Sequence, residues 1–115
     1  MTTGNLNVRT LSDNSILITL GQALDNSNAH LVVDAITSVQ AGGVKNIIID
    51  MTDLEFLSSA GVGAILGTIE TSREAGGDII LCHVSDNIRH VLDVLDLTEF
   101  LTITDTLEEA DARCV

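Results

Sequence analysis

Ser58 and Ser59 stand side by side in the stretch "FLSSAGVGAIL", and Gly61, Gly63 and Gly67 follow within what otherwise reads as a helix. A hydroxyl at a helix N-terminus meets unsatisfied backbone N–H groups and a dipole that favours negative charge. It therefore either caps the helix or carries an anionic group there. One cap suffices for one helix, so two adjacent serines leave one hydroxyl without that structural task. The three glycines forgo roughly 3 kcal/mol of helix propensity, at about 1 kcal/mol each relative to alanine. Gly63 and Gly67 are four residues apart and share a helix face. A face that bare either lies flat beneath an approaching partner or packs closely on a sheet, and both readings stand at this point.

Other chemistries fit less well. "GVGAILG" has the look of a dinucleotide fingerprint, but that fingerprint needs its first glycine directly after a strand, and ten residues separate Asp50 from Gly61. A serine hydrolase needs a base within hydrogen-bond reach and an elbow such as G-x-S-x-G, which the sequence lacks. His30, His83 and His90 offer no base by spacing and read as structural residues. Cys82 and His83 are neighbours in a strand-like run, so they are expected on opposite faces and no metal site is read from them. Cys82 and Cys114 are too few for a disulfide framework and read as free thiols. The expectation is a protein that is not an enzyme, with no catalytic residue, metal or cofactor.

The elements that would position the serines follow from periodicity. Leu6, Val8 and Thr10 alternate with polar residues, as do Ile16, Ile18 and Leu20 after the turn-like "LSDNS", which predicts an antiparallel hairpin. Val32, Ala35, Ile36 and Val39 recur at helical spacing, with Ser27 as the expected N-cap and Gly42 and Gly43 as the stop. "VKNIIID" is β-branched without alternation, as a central parallel strand buried on both faces would be. Val62, Ile65, Leu66 and Ile69 make the serine-bearing stretch helical as far as Gly76 and Gly77. "DIILCHV" reads as a buried strand, and "SDNIRHVLDVLDL" as a helix with Ile88, Val91, Leu92 and Leu95 inward. "FLTI" is a short strand, and "TLEEADA" is a helix with a Thr106–Glu109 capping box. The order predicts an α/β fold: a mixed, mostly parallel sheet of about five strands, opened by a β-hairpin and covered by about four helices. The turn leaving a strand and entering a helix, "DMTDLEFLSSAG", is where such a fold places its ligands and reactive groups.

The chain's 115 residues fit one domain, taken as 1–115, with no Pro- or Gly/Ser-rich linker. Seventeen acidic against five basic residues give a net charge of −12, which repels phosphate backbones and anionic membrane surfaces. Nucleic acid and membrane are not expected partners, and the charge serves either solubility or the steering of a basic partner. No apolar run approaches the ~20 residues of a membrane span, and "MTTGNLNVRT" lacks the basic start and apolar stretch of a signal peptide. The expected location is the cytoplasm.

"IIIDMTDLEFLSSAGVGAILG", with "GQALDNSNA" upstream and "GGDIILCHVSDNIRHVLDVLDLTEFLTITDTLEEA" downstream, resembles a STAS domain of the anti-sigma factor antagonist family over essentially the whole chain. The specific part is the spacing from Asp50 through Ser59 to Gly61 and Gly63, supported by the pair Gly21 and Asp25. The resemblance implies a single STAS-like domain that acts as a phosphorylation-switched protein-binding module in transcription regulation. In that family an anti-sigma factor serine kinase, which binds the ATP, silences a sigma factor and phosphorylates the antagonist. The unphosphorylated antagonist binds the kinase and frees the sigma factor, and a serine phosphatase resets it. By position the phosphoacceptor is Ser59, with Ser58 as a competing acceptor. The implied partner-binding set is Asp25, Asn26, Ser58, Ala60, Gly61, Gly63 and Gly67. Asp50 and Asp53 either add to the negative field around the serine or serve turn and capping chemistry. The family often has Asp before the phosphoserine and Ser or Thr after it, where this chain has Ser58 and Ala60. The first alternative is a STAS scaffold or localisation module of another bacterial signalling pathway, never phosphorylated; the second is an enzyme of unknown type.

Overall fold

The computed structural model of the protein describes residues 2–3 and 6–114. Along the chain run β1 (Thr2–Thr3), β2 (Leu6–Ser12), β3 (Ser15–Leu20), β4 (Ala23–Leu24), α1 (Ala29–Ala41), β5 (Asn46–Asp50), β6 (Phe56–Leu57), α2 (Ser59–Glu74), β7 (Asp78–Cys82), α3 (Asp86–Val94), β8 (Thr102–Thr104) and α4 (Leu107–Ala112). The main sheet has the order β1-β2-β3-β5-β7-β8. β2 and β3 form the antiparallel hairpin, and β3, β5, β7 and β8 pair in parallel. Two-residue β1 extends the hairpin's outer edge.

The central strand explains the layering. Ile47, Ile48 and Ile49 of β5 are all fully buried, so both faces of the sheet are covered, as a parallel interior strand requires. Ile47 and Ile49 join the large core formed with α1, α2 and α3, through Val32, Ile36, Val62, Ile65, Ile69, Ile88 and Leu92. Ile48 points the other way, to a smaller cluster with Leu17, Ile80, Cys82 and Ala110 of α4. The register continues this alternation across strands: Ile18, Ile49 and Leu81 align, as do Leu17, Ile48 and Ile80.

Helix ends follow local chemistry. Gly43 after α1 and Gly76 after α2 take positive φ, +98° and +90°, the left-handed turn that glycine adopts without a Cβ penalty. Thr106 caps α4 by accepting from the Glu109 N–H at 3.1 Å. The N-terminus of α1 differs from the expected one. Its N-cap is Asn28, not Ser27. The Ser27 N–H instead donates to Asp25 Oδ1 at 2.9 Å, closing an Asx turn that ends before the helix begins, and its hydroxyl donates to the same oxygen at 2.6 Å.

Candidate functional site

Two short strands hold the serine turn in place. β4 and β6 pair in parallel apart from the main sheet, Ala23 with Phe56 and Leu24 with Leu57. The Ser58 N–H then donates to the Leu24 carbonyl at 2.9 Å. The segment carrying Gly21 to Asp25 is thereby fixed against the entrance of α2. Ser58 has extended backbone and is the N-cap, its Oγ accepting from the Gly61 N–H at 3.3 Å. Ser59 is the first residue of α2 and is exposed. Its hydroxyl is thus outside the capping arrangement, at the positive end of a 16-residue helix. Of the two serines, Ser58 takes the capping role and Ser59 is left without that task.

The glycines also divide. A Cβ on Gly61 would stand 2.8 Å from Leu24 Cγ and from the Leu24 carbonyl oxygen, and 2.9 Å from Leu57 Cδ1. Gly61 is buried and lets the helix press onto the β4–β6 pair; its missing side chain serves packing. Gly63 and Gly67 face open space, with nothing within 4 Å of the Cβ each would carry. Of the two readings of that face, close packing on the sheet is excluded for this pair.

Two grooves border the serines. Asp25, Asn26, Ser27, Phe56 and Ser58 line one of about 420 Å³. On the other side, Leu57, Ser58, Ser59, Val62, Val91 and Val94 line a more apolar groove of about 300 Å³, completed by His90 and Leu95. Phe56 is 56% exposed, Val94 68% and Leu95 47%. Periodicity puts Leu95 on the core face of α3, but the helix stops at Val94 and Leu95 sits at its C-cap, so the side chain leaves the buried stripe. Phe56, His90 and Val94 have no place among the expected site residues. The signal available for Val94 was an apolar residue off the helix's inward face, between Asp93 and Leu95.

Known proteins place this geometry. The profile of the STAS domain family matches residues 5–110. The chain belongs to the STAS domain family. Among relatives with curated descriptions, an anti-sigma F factor antagonist of Paenibacillus polymyxa is 26% identical over 91 residues, 78% of each chain. An anti-sigma-B factor antagonist of Staphylococcus aureus is 20% identical over 90% of this chain and 97% of its own. Among solved structures, a Thermotoga maritima protein superposes with a TM-score of 0.86 at 22% identity, over 95% of this chain and 93% of that one. The Bacillus anti-sigma factor antagonist SpoIIAA has been solved both unphosphorylated (TM-score 0.75, 25% identity, 93% and 94% coverage) and phosphorylated (0.73, 28%, 94% and 97%).

Within this STAS domain the acidic residues separate. Asp25 lies in the serine groove, and hydrogen bonds from the Ser27 hydroxyl and backbone hold its carboxyl below the usual carboxylate range. Asp53 lines a neighbouring polar groove with Gly21, Gln22, Thr52 and Glu55. Asp50 borders none of the grooves that the serines line. It follows Ile48 in the alternation of β5 and lies on the α4 side of the sheet, where Oδ1 is 3.0 Å from His83 Nδ1. Burial acts to raise its carboxyl, but hydrogen bonds from Thr52 and His83 outweigh it and lower the pKa. The expectation that Cys82 and His83 point apart also fails. β7 ends at Cys82, and His83 takes φ +55°, which turns its ring back to within 3.9 Å of Cys82 Sγ. Among the described residues no helix is long and apolar enough to cross a membrane.

Proposed function

We propose that this STAS domain is an anti-sigma factor antagonist switched by phosphorylation of Ser59. One observation carries the reading: Ser58 takes the capping hydrogen bond, so Ser59 is presented at the helix start with its hydroxyl uncommitted and its surroundings open. In its unphosphorylated form the domain binds an anti-sigma factor serine kinase, which holds the ATP, and a sigma factor is released. The contact surface is built from Asp25, Asn26, Ser58, Ala60, Gly63 and Gly67, with Phe56, Val94 and Leu95 adding apolar area at its rim. Gly61 supports that surface from beneath. Asp53 adds negative charge nearby; Asp50 acts elsewhere.

Phosphorylation adds about −1.5 to −2 charges and three acceptor oxygens. The α2 N-terminus accommodates them within the domain. At a closely packed interface the same charge brings desolvation and repulsion, so a rigid fold changes its binding without refolding. Removal by a serine phosphatase restores the binding form. SpoIIAA, solved in both forms, is a precedent for a related fold that carries the modification.

Phosphopeptide mapping of the protein after incubation with ATP and the kinase captured from its native cell is expected to place the phosphate on Ser59. Ser59→Ala should remain unmodified. Phosphate on Ser58, with Ser59→Ala still fully modified, overturns the assignment. A captured partner that never modifies the chain supports the scaffold reading instead.

A further inference from the structure

Away from the serine site, potential ligand atoms converge at the carboxyl ends of β5 and β7. Asp50 and Cys82 are Cα partners in register and continue the row of Ile48 and Ile80 on the α4 side of the sheet. His83 joins them through its left-handed backbone. A non-glycine residue held there forgoes backbone stability, and such departures cluster where a side chain must be aimed. A carboxylate oxygen, a thiol sulfur and an imidazole nitrogen come to lie within 4.8 Å of one another.

We propose that Asp50, Cys82 and His83 form a binding site for a single thiophilic divalent cation of the Zn²⁺ class. Tetrahedral Zn²⁺ holds N, O and S donors at about 2.0 to 2.3 Å, which sets donor-to-donor edges of roughly 3.3 to 3.7 Å. His83 Nδ1 is 3.0 Å from Asp50 Oδ1 and 3.9 Å from Cys82 Sγ, and all three donor atoms lie within 4.8 Å of one another, so the ion draws the two edges through His83 to within a few tenths of an ångström and the widest edge inward by up to about 1 Å. Sulfur with imidazole selects a borderline-soft ion over Mg²⁺ or Ca²⁺, which take oxygen ligands. Thr52 forms the outer layer: its hydroxyl and its N–H, the latter at 3.0 Å, both donate to Asp50 Oδ1 and fix the carboxylate. The Asp50 and His83 side chains are 18% and 36% exposed and give the ion its way in, while Cys82 is buried. A thiol ligates as the thiolate, so its proton leaves as the Sγ–metal bond forms and proton release accompanies binding. Three protein donors leave the fourth position to water or an exogenous ligand.

Co²⁺ titrated into chelator-stripped full-length protein tests this, since a thiolate ligand gives it a near-ultraviolet charge-transfer band. One equivalent is expected to saturate the band, and added Zn²⁺ to bleach it. Cys82→Ala should abolish the band, and His83→Gly should weaken Co²⁺ binding by roughly tenfold or more. Glycine keeps the positive φ without strain, and circular dichroism verifies that both variants fold. Cys114→Ser should titrate as wild type. The proposal is overturned if stoichiometric Co²⁺ gives no thiolate band, if Cys114→Ser rather than Cys82→Ala removes it, or if folded His83→Gly binds as tightly as wild type.

Discussion

The Ser58 hydroxyl accepts the Gly61 N–H, and removing an N-cap acceptor costs about 1 kcal/mol. Ser58→Ala is therefore expected to lower stability by that amount in denaturant melts while leaving Ser59 as the phosphoacceptor; Ser59→Ala should leave the melt nearly unchanged. Loss of modification in Ser58→Ala with the fold intact would show that the cap residue is read by the kinase. Asp50 offers a pH test at the same scale. Its folded pKa is depressed below the unfolded carboxylate value of about 3.9, so folding favours the ionised form. The contribution is fully present above that unfolded value and is lost as pH falls through the lower folded one. In chelator-treated protein, wild type should lose stability across that acidic window more steeply than Asp50→Asn. Parallel acid-unfolding curves would mean that the His83 and Thr52 contacts contribute nothing to the ionised state.

At the scale of the element, the glycines of α2 test what the helix is for. Gly61→Ala drives a methyl group into Leu24 and Leu57 and should cost about 1 to 3 kcal/mol by overpacking. Gly67→Ala meets nothing within 4 Å and should gain up to about 1 kcal/mol of helix propensity. Gly67→Gln should leave the fold intact and, if the proposed interface includes this face, weaken binding of the kinase, because its side chain would stand in the approach path. Equal binding by Gly67→Gln and wild type would remove that face from the interface. The helix itself was legible from Val62, Ile65 and Ile69, because a 3.6-residue period survives three glycines. The β4–β6 pair was not: two residues per strand carry no alternation, and their pairing joins segments more than thirty residues apart. The Asp50–His83 contact was hidden for another reason, since period-two reasoning assumes extended backbone and His83 leaves it.

Across the whole molecule the net charge is −12, and among the described residues one Arg–carboxylate ion pair forms, between Arg73 and Asp78. Of the five basic residues, Arg73 is committed to Asp78 at 2.9 Å and stacks over the Phe100 ring. The surface a partner meets is thus strongly acidic and, around the serines, apolar at the rim. These two properties act at different stages of binding: long-range charge steers the encounter, and short-range packing holds the complex. Raising salt from low concentration to ~0.5 M shortens the screening length to a few ångströms. Association with the kinase is therefore expected to slow markedly while dissociation changes little, as surface plasmon resonance or stopped-flow binding would record. Under the proposed switch, phosphate on Ser59 should act in the opposite sense, because its charge would lie inside the contact and raise the dissociation rate even at high salt. An association rate indifferent to salt would leave the acidic surface with solubility as its only role.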